Sequence, residues 1–331
     1  MASEQTHVEV DGVRVRISSP SKVMFPAQGW TKLDLVQHYV TVWPGALRGV
    51  FGRPTVLKRF NDGVEAEPVF QKRVRTSDPD HELATIRFPS GRTAEMLVPR
   101  RGADVVWLAQ QNCVDLNPWS IRAEDLDHPD ELRIDLDPTP GVAFADVRDI
   151  AGAVRDVLDE HGLAGWPKTS GNRGLHIYAR IRPAWSFTEV RRAALALGRE
   201  VERRAPDVAT TSWWKEERRG VFLDYNQNAR DRTIASAYSV RHTGRVSAPL
   251  RWDEVSGVEH EAFPMDEFAS RWAEVGDLTE GIDDAVGELD GLLELARRDE
   301  EGGLGDAPWP PHFPKQKGEP TRAQPSRRRE G

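Results

Sequence analysis

Segments of period two and of period 3.6 follow one another along this chain without regular alternation. That order predicts an α+β fold, with mixed or antiparallel sheets and helices packed outside them, rather than a regular doubly wound sheet. Two segments carry most of the prediction. ELRIDLDP at 131–138 alternates Leu132, Ile134 and Leu136 with Arg133, Asp135 and Asp137, so a strand there sends its apolar and charged sets to opposite faces. The stretch 189–204 has the length and patterning of an amphipathic helix and sits between two strand-like runs, LHIYARI and VFLDYN.

Taken in order, VEVDGVRVRIS alternates around Asp11-Gly12 and reads as a β-hairpin. Thr31 is an N-cap for a helix whose stripe is Leu33, Val36, Tyr39, Val40 and Trp43, and Pro44 is expected to disrupt it. Residues 54–110 read as strand-rich, with polar loops around 74–81 and 89–93. The DLDP strand follows, then a helix near 144–161 carrying Val147, Ile150, Val154, Val157 and Leu158 and ending at Gly162. The turn Ser170-Gly171-Asn172-Arg173-Gly174 leads into LHIYARI. Thr188 caps the helix over 189–204, VFLDYN at 221–226 is a strand, and a last amphipathic helix spans about 282–298. From Gly303 on there are six prolines in 29 residues and a Ser326-Arg327-Arg328-Arg329 ending, the composition of a disordered Pro/Arg-rich tail over 303–331.

Length and composition fit one large soluble domain or two small ones, and no apolar run approaches the ~20 residues of a membrane helix. The N-terminus lacks the regions of a signal peptide, so a cytoplasmic location is expected. One cysteine, Cys113, rules out a disulfide framework and a cysteine zinc site. Net charge is −8, yet residues 253–301 alone carry 17 acidic and 3 basic side chains. Residues 1–252 are therefore slightly basic, with clusters at Lys58-Arg59, Lys72-Arg73, Arg100-Arg101 and Arg218-Arg219, a surface able to follow a phosphate backbone.

Three constellations could carry chemistry. Asp135 and Asp137 lie two apart on a strand, roughly 6.5–7 Å at Cα; unpaired they repel, and shared divalent cations relieve that repulsion. KTSGNRGLHIY offers Ser170, Asn172, Arg173 and His176 around glycines that permit close backbone approach, a cradle for an anion. Asp224 lies in VFLDYNQN. Each alone also fits a structural role; three carboxylates beside a phosphate cradle are what two-metal nucleotidyl transfer requires.

In this order, ELRIDLDP, KTSGNRGLHIY and VFLDYNQNARDRTIASAYSVR resemble the polymerase module of bacterial non-homologous end-joining ligase D, of the archaeo-eukaryotic primase superfamily. The resemblance covers about residues 15–300. It implies a primase-like fold whose sheets form a catalytic cleft, and two Mn2+ or Mg2+ ions, with no zinc, on Asp135, Asp137 and Asp224. It further implies that Ser170, Arg173, His176 and Arg241 contact the incoming nucleotide's phosphates or surroundings, and that Lys58 and Phe70 lie at the nucleotide. Gln227 falls near the template strand. SSPSKVMFPAQGWTK resembles the segment whose two lysines bind a downstream 5′-phosphate, implying Lys22 and Lys32; Lys32 falls in a first helical turn, where amides are free to bind an anion.

The chain departs from the family pattern at three places. A pair of phenylalanines is Val69-Phe70, the histidine of LEIHPW is Asn117 in VDLNPW, and the asparagine of NPDK is Ser19. There is no adenylating KxDG lysine, so the chain reads as a stand-alone member of the kind common in actinobacteria. The expected domain is 1–302, comprising an end-phosphate part to about 125, a catalytic part over 126–252 and an acidic part over 253–302. The expected function is template-dependent, primer-extending nucleotidyl transfer into short gaps at DNA ends during double-strand-break repair, near the nucleoid. The expected partners are gapped DNA and NTP or dNTP, with Ku and a separate ligase implied by the family. De novo priming, non-catalytic end bridging and phosphohydrolysis are the alternatives.

Overall fold

The computed structural model describes residues 4–74, 81–88, 91–310, 313–315 and 319–320. The N-terminal hairpin forms as expected from β1 (Gln5–Val10) and β2 (Val13–Ser18), with Asp11 and Gly12 both at positive φ. A short pair, β3 (Val23–Phe25) and β4 (Trp30–Thr31), leads into α1 (Lys32–Val50). Thr31 caps it, in a reciprocal box with Asp34. Pro44 does not end this helix. Its missing N–H costs one helical hydrogen bond, but the turn beyond it buries Gly45, Ala46 and Val50, and Gly45 lies so close to the Tyr238 ring that no larger side chain fits. Packing outweighs the lost bond.

The next sheet is built from β5 (Thr55–Arg59), β6 (Val69–Gln71), β7 (Leu83–Arg87) and β8 (Thr93–Leu97), in the order β6-β5-β8-β7. The stretch read as strand-rich ends instead in a helix, α2 (Gly102–Gln110), because Ala103, Val105, Val106, Leu108 and Ala109 are all buried, mostly against α1 and the hairpin. Of the expected loops, residues 75–80 and 89–90 lie outside the described residues. β9 (Asn117–Pro118) adds to the other edge of β5.

The central sheet follows: β10 (Glu131–Pro138), α3 (Phe144–Glu160), β11 (Trp166–Thr169), β12 (Leu175–Arg180), α4 (Phe187–Arg204), β13 (Ala209–Thr210) and β14 (Val221–Leu223). Its order is β11-β12-β10-β14-β13, antiparallel except for β13 beside β14. The apolar side of β10 joins Val147, Ile150, Val154 and Leu158 of α3 and Val190 and Leu197 of α4 in one core. The opposite side holds the charged residues, and Arg133 and Asp135 are buried there too. Ser186, not Thr188, caps α4, since it forms the reciprocal box with Glu189. Asp224 is not within a strand: β14 ends at Leu223, and Asp224 caps a 3-10 helix, Tyr225–Asn228, by accepting from the Asn226 amide.

After α5 (Trp252–Val255) and α6 (Phe268–Val275), the single last helix expected over 282–298 is split into a 3-10 turn, Ile282–Asp284, and α7 (Asp290–Glu301), with Ile282 and Leu292 in different cores. The acidic segment supplies counter-charges: Asp277 pairs with Arg48, Asp283 with Arg122 and Arg180, Glu259 with Arg148, and Asp299 with Arg203. The start of the tail is ordered, contrary to expectation. Trp309 and Phe313 bury themselves against Ala229. Residues 311–312, 316–318 and 321–331 lie outside the described residues. Among the described residues no helix is long and apolar enough to cross a membrane.

Candidate active site

The two larger sheets face each other across a cleft of about 350 Å3, within the size range of ligand sites. The cross-strand register builds its floor: Asp135 stands opposite His176, and His176 opposite Lys168. Asp137 lies two residues on, at the mouth. The Asp224 amide donates to the Asp135 carbonyl at 3.0 Å, which brings the third aspartate beside the first. Asn228 fixes the 3-10 helix to β10 by exchanging hydrogen bonds with the Arg133 backbone, at 2.9 and 2.7 Å.

Ser170-Gly171-Asn172-Arg173-Gly174 forms one wall. Ser170 Oγ accepts from the amides of Asn172 (3.1 Å) and Gly174 (3.0 Å), leaving its own O–H to donate into the cleft. Gly171 has φ +67°, and a Cβ on Gly174 would meet the Leu136 carbonyl oxygen at 2.2 Å, so both glycines are required. Arg173 is exposed at the rim. Arg241 Nη1 donates to the Ser170 carbonyl at 2.9 Å.

The opposite wall comes from β5, β6 and β9. Lys58 and Phe70 pair across strands, and Phe70 is 62% exposed, an open platform. Asn117 is buried and its Nδ2 donates to the Asp115 carbonyl and carboxylate, so Oδ1 is the free end. Gln227 Nε2 donates to Asp135 Oδ2 at 3.1 Å. Ten of the candidate site residues line this one cleft: Lys58, Phe70, Asn117, Asp135, Asp137, Ser170, Arg173, His176, Gln227 and Arg241; Asp224, beside Asp135, is not among its lining residues. Lys22 and Lys32 lie elsewhere, at the foot of α1. Lys22 Nζ donates to the Asn61 carbonyl, and Lys32 Nζ to the carbonyls of Ser18 (2.9 Å) and Gln110 (3.1 Å).

A family model described as LigD, primase-polymerase domain, matches residues 31–279. The chain belongs to this family. It is 33% identical over 276 residues to the multifunctional non-homologous end joining protein LigD of Mycolicibacterium smegmatis, covering 82% of this chain and 36% of that protein. The bifunctional LigD of Bacillus subtilis is 28% identical over 248 residues, 73% of this chain and 39% of that protein. The chain thus spans under two fifths of the length of these relatives. Among solved structures, the polymerase domain of Mycobacterium tuberculosis ligase D in complex with DNA superposes with a TM-score of 0.76 at 32% identity, covering 82% of this chain and 98% of that one. The α+β architecture is thereby that of the LigD polymerase domain.

For this LigD-family site, electrostatics sharpen the geometry. Burial pushes the Asp135 carboxyl up to about 6. The charge of Asp135, then burial, pushes Asp137 up to about 7, and burial followed by Asp135 does the same to Asp224. Among the described residues neither Asp137 nor Asp224 has an ion-pair partner. Carboxylates without an ion-pair partner, offering only oxygen donors, are a set that suits Mg2+ or Mn2+, so the residues fit the cations that the family implies. Among the described residues, the group whose potential ligand atoms all lie within 4.8 Å of one another is Glu259, His260 and Glu261 on the surface, and not the three aspartates.

Two site residues were not assigned from the sequence. Asp115, 2% exposed, holds Lys58 at 3.0 Å and Arg241 at 3.6 Å as well as Asn117; its signal was its place two residues before Asn117 in VDLNPW. Lys168, buried, donates to the Ala235 carbonyl (2.9 Å) and Ser247 Oγ (2.6 Å) and contacts His176 Nδ1 at 2.6 Å. With Asp135 Oδ1 3.3 Å from Nε2, both neighbours assign the imidazole proton to Nε2. Burial, reinforced by Lys168, holds His176 well below the usual histidine range, hence neutral.

Proposed function

We propose that this chain is a template-dependent, primer-extending nucleotidyltransferase that fills short gaps at DNA ends in double-strand-break repair. The observation that carries the reading is the convergence of ten residues, from seven separate stretches of sequence, on one cleft combining paired aspartates, a phosphate cradle and an exposed aromatic. Asp135 and Asp137 would hold both cations and Asp224 the one beside the primer 3′-hydroxyl; bound there, the pair supplies Lewis acidity to the attacking hydroxyl and the leaving pyrophosphate. Ser170 O–H, Arg173, His176 Nε2–H and Arg241 bind and orient the triphosphate for in-line attack. Phe70 stacks on a base without regard to its identity, as gap filling requires. Gln227, held on Asp135, faces the template side.

Lys22 and Lys32 bind a 5′-phosphate across the gap. Burial, then Lys22 and Arg59, hold the Lys32 ammonium down to about 8, and an anion there relieves that repulsion. The domain is residues 1–302, with end-phosphate, catalytic and acidic parts as set out above. Ku and a separate ligase are its proposed partners, and gapped duplex with NTP or dNTP its substrates.

The test is primer extension on a gapped duplex bearing a downstream 5′-phosphate, with manganese and labelled rNTP or dNTP. Wild type extends and Asp135→Ala does not. DNA binding without extension under every condition would favour the bridging role, and nucleotide hydrolysis alone the phosphohydrolase.

A further inference from the structure

Beyond residue 279, where the family match ends, the chain passes through α7 and returns along α4 to the back of the site. There Arg191, 1% exposed, is satisfied from both sides. Its Nε donates to Asn226 Oδ1 at 2.7 Å, Nη1 to Asp306 Oδ1 at 2.7 Å, and Nη2 to the carbonyls of Ala307 (2.8 Å) and Pro308 (3.2 Å). The Trp309 ring lies 4.1 Å from the guanidinium and the Tyr225 ring 5.0 Å. Asn226 Nδ2 donates to the Pro308 carbonyl at 3.1 Å, and Trp309 Nε1 to Asp306 Oδ2 at 2.8 Å. The Asn226 amide in turn donates to Asp224 Oδ1 at 3.0 Å.

The 3-10 helix that follows Asp224 has four residues and hydrogen-bond geometry poorer than that of an α-helix. Asp224 is repelled by two neighbouring carboxylates, so its position depends on what braces the turn that follows it. Asn228 ties that turn to β10 from one side; Arg191 and the returning chain tie it from the other. We propose that the segment Asp306–Trp309, acting through Arg191 and Asn226, is a positioning element for Asp224 that sets the affinity of the aspartate site for its divalent cation. This rests on the nucleotidyltransferase reading only in taking Asp224 as a cation ligand.

The test titrates Mn2+ into the full chain without DNA or nucleotide, reading free Mn2+ by electron paramagnetic resonance. Asp306→Ala and Trp309→Ala should each weaken binding roughly 10-fold, the effect typical of residues that orient a ligand. Asp306→Asn keeps an acceptor for Arg191 Nη1 but replaces the Trp309 Nε1 acceptor by a donor, so it should lose less affinity than Asp306→Ala. In an Asp224→Ala background the same substitutions should have less than about a twofold further effect, because the coupling runs through Asp224. Unchanged affinity with Asp224 present overturns the proposal, as does an equal loss in both backgrounds, which is the signature of general damage. Should Asp306→Ala fail to fold, Trp309→Ala carries the same comparison. A wild type that binds no Mn2+, or whose affinity survives Asp224→Ala, refutes the aspartate reading itself rather than the brace.

Discussion

Replacing Gly174 by alanine would put a methyl carbon 2.2 Å from the carbonyl oxygen of Leu136 and 3.6 Å from the Pro138 ring. The oxygen belongs to the backbone of β10 and cannot rotate away. Ordinary contact begins near 3.4 Å, so the 170–174 turn and β10 must separate by just over an ångström. Ser170 and His176 lie on one side of that separation, Asp135 and Asp137 on the other. Overpacking of this kind costs ~1–3 kcal/mol, which lowers the melting temperature by about 1.5–4 °C for a chain of this size. A 1 Å misplacement of reacting groups costs on the order of 100-fold in rate, so kcat/KM for the nucleotide should fall by roughly that factor. Gly152→Ala is the control: no atom lies within 4 Å of its added Cβ, and it should keep wild-type kinetics and gain about 0.5–1 kcal/mol. Steady-state primer extension and thermal melts check both. A Gly174→Ala protein with wild-type kinetics and melting temperature would refute the close-approach argument.

Asp115→Ala should raise KM for the nucleotide more than it lowers kcat, since Lys58, Arg241 and Asn117 all lose their common partner, and cost about 1–3 kcal/mol from unsatisfied buried groups; initial rates and denaturant melts measure both. Lys168→Met frees the His176 tautomer and should cut extension about 10–100-fold with gapped-DNA binding unchanged in a filter assay. Lys22→Ala with Lys32→Ala should abolish the advantage of a phosphorylated over a non-phosphorylated gap while leaving extension on the latter intact. The aspartates keep protons to about pH 6–7 when folded but only to about 3.9 when unfolded. The folded state thus binds more protons in that window, and these groups subtract from stability increasingly as pH rises through it. Asp137→Asn should therefore raise the metal-free melting temperature at about pH 8 and leave it nearly unchanged at about pH 2.5, where the wild-type groups are protonated in both states.

Much of the site was legible because its residues sit at strand spacing within short motifs. Asp135 and Asp137 announced a shared face by alternation alone, and Ser170 to His176 by two glycines whose necessity the close approach to β10 explains. The resemblance then supplied Lys58, Phe70 and Arg241, which no local pattern joins to the aspartates. The roles of Lys168 and Asp115 lie in their partners: each binds residues far away in the chain, and neither a strand lysine nor a loop aspartate carries a mark of that. The continuation of α1 through Pro44 was hidden for a similar reason, since propensity is local whereas Tyr238, which packs on the second half of the helix, is almost two hundred residues distant. In the described part of the proline-rich tail, Trp309 and Phe313 pack with Ala229, a contact that composition does not signal because it depends on a surface formed elsewhere in the chain.

The stretch from Ala235 to Leu250 carries a consequence for how the molecule comes apart. Tyr238, Val240, Val246 and Ala248 belong to the core beneath α1, while Leu250 belongs to the core beneath α3 and α4. The same stretch accepts two hydrogen bonds from Lys168 in the central sheet. Neither core can be exposed to solvent without pulling this thread from the other. The two halves should therefore exchange their most protected amides with the same free energy, as one cooperative unit rather than two.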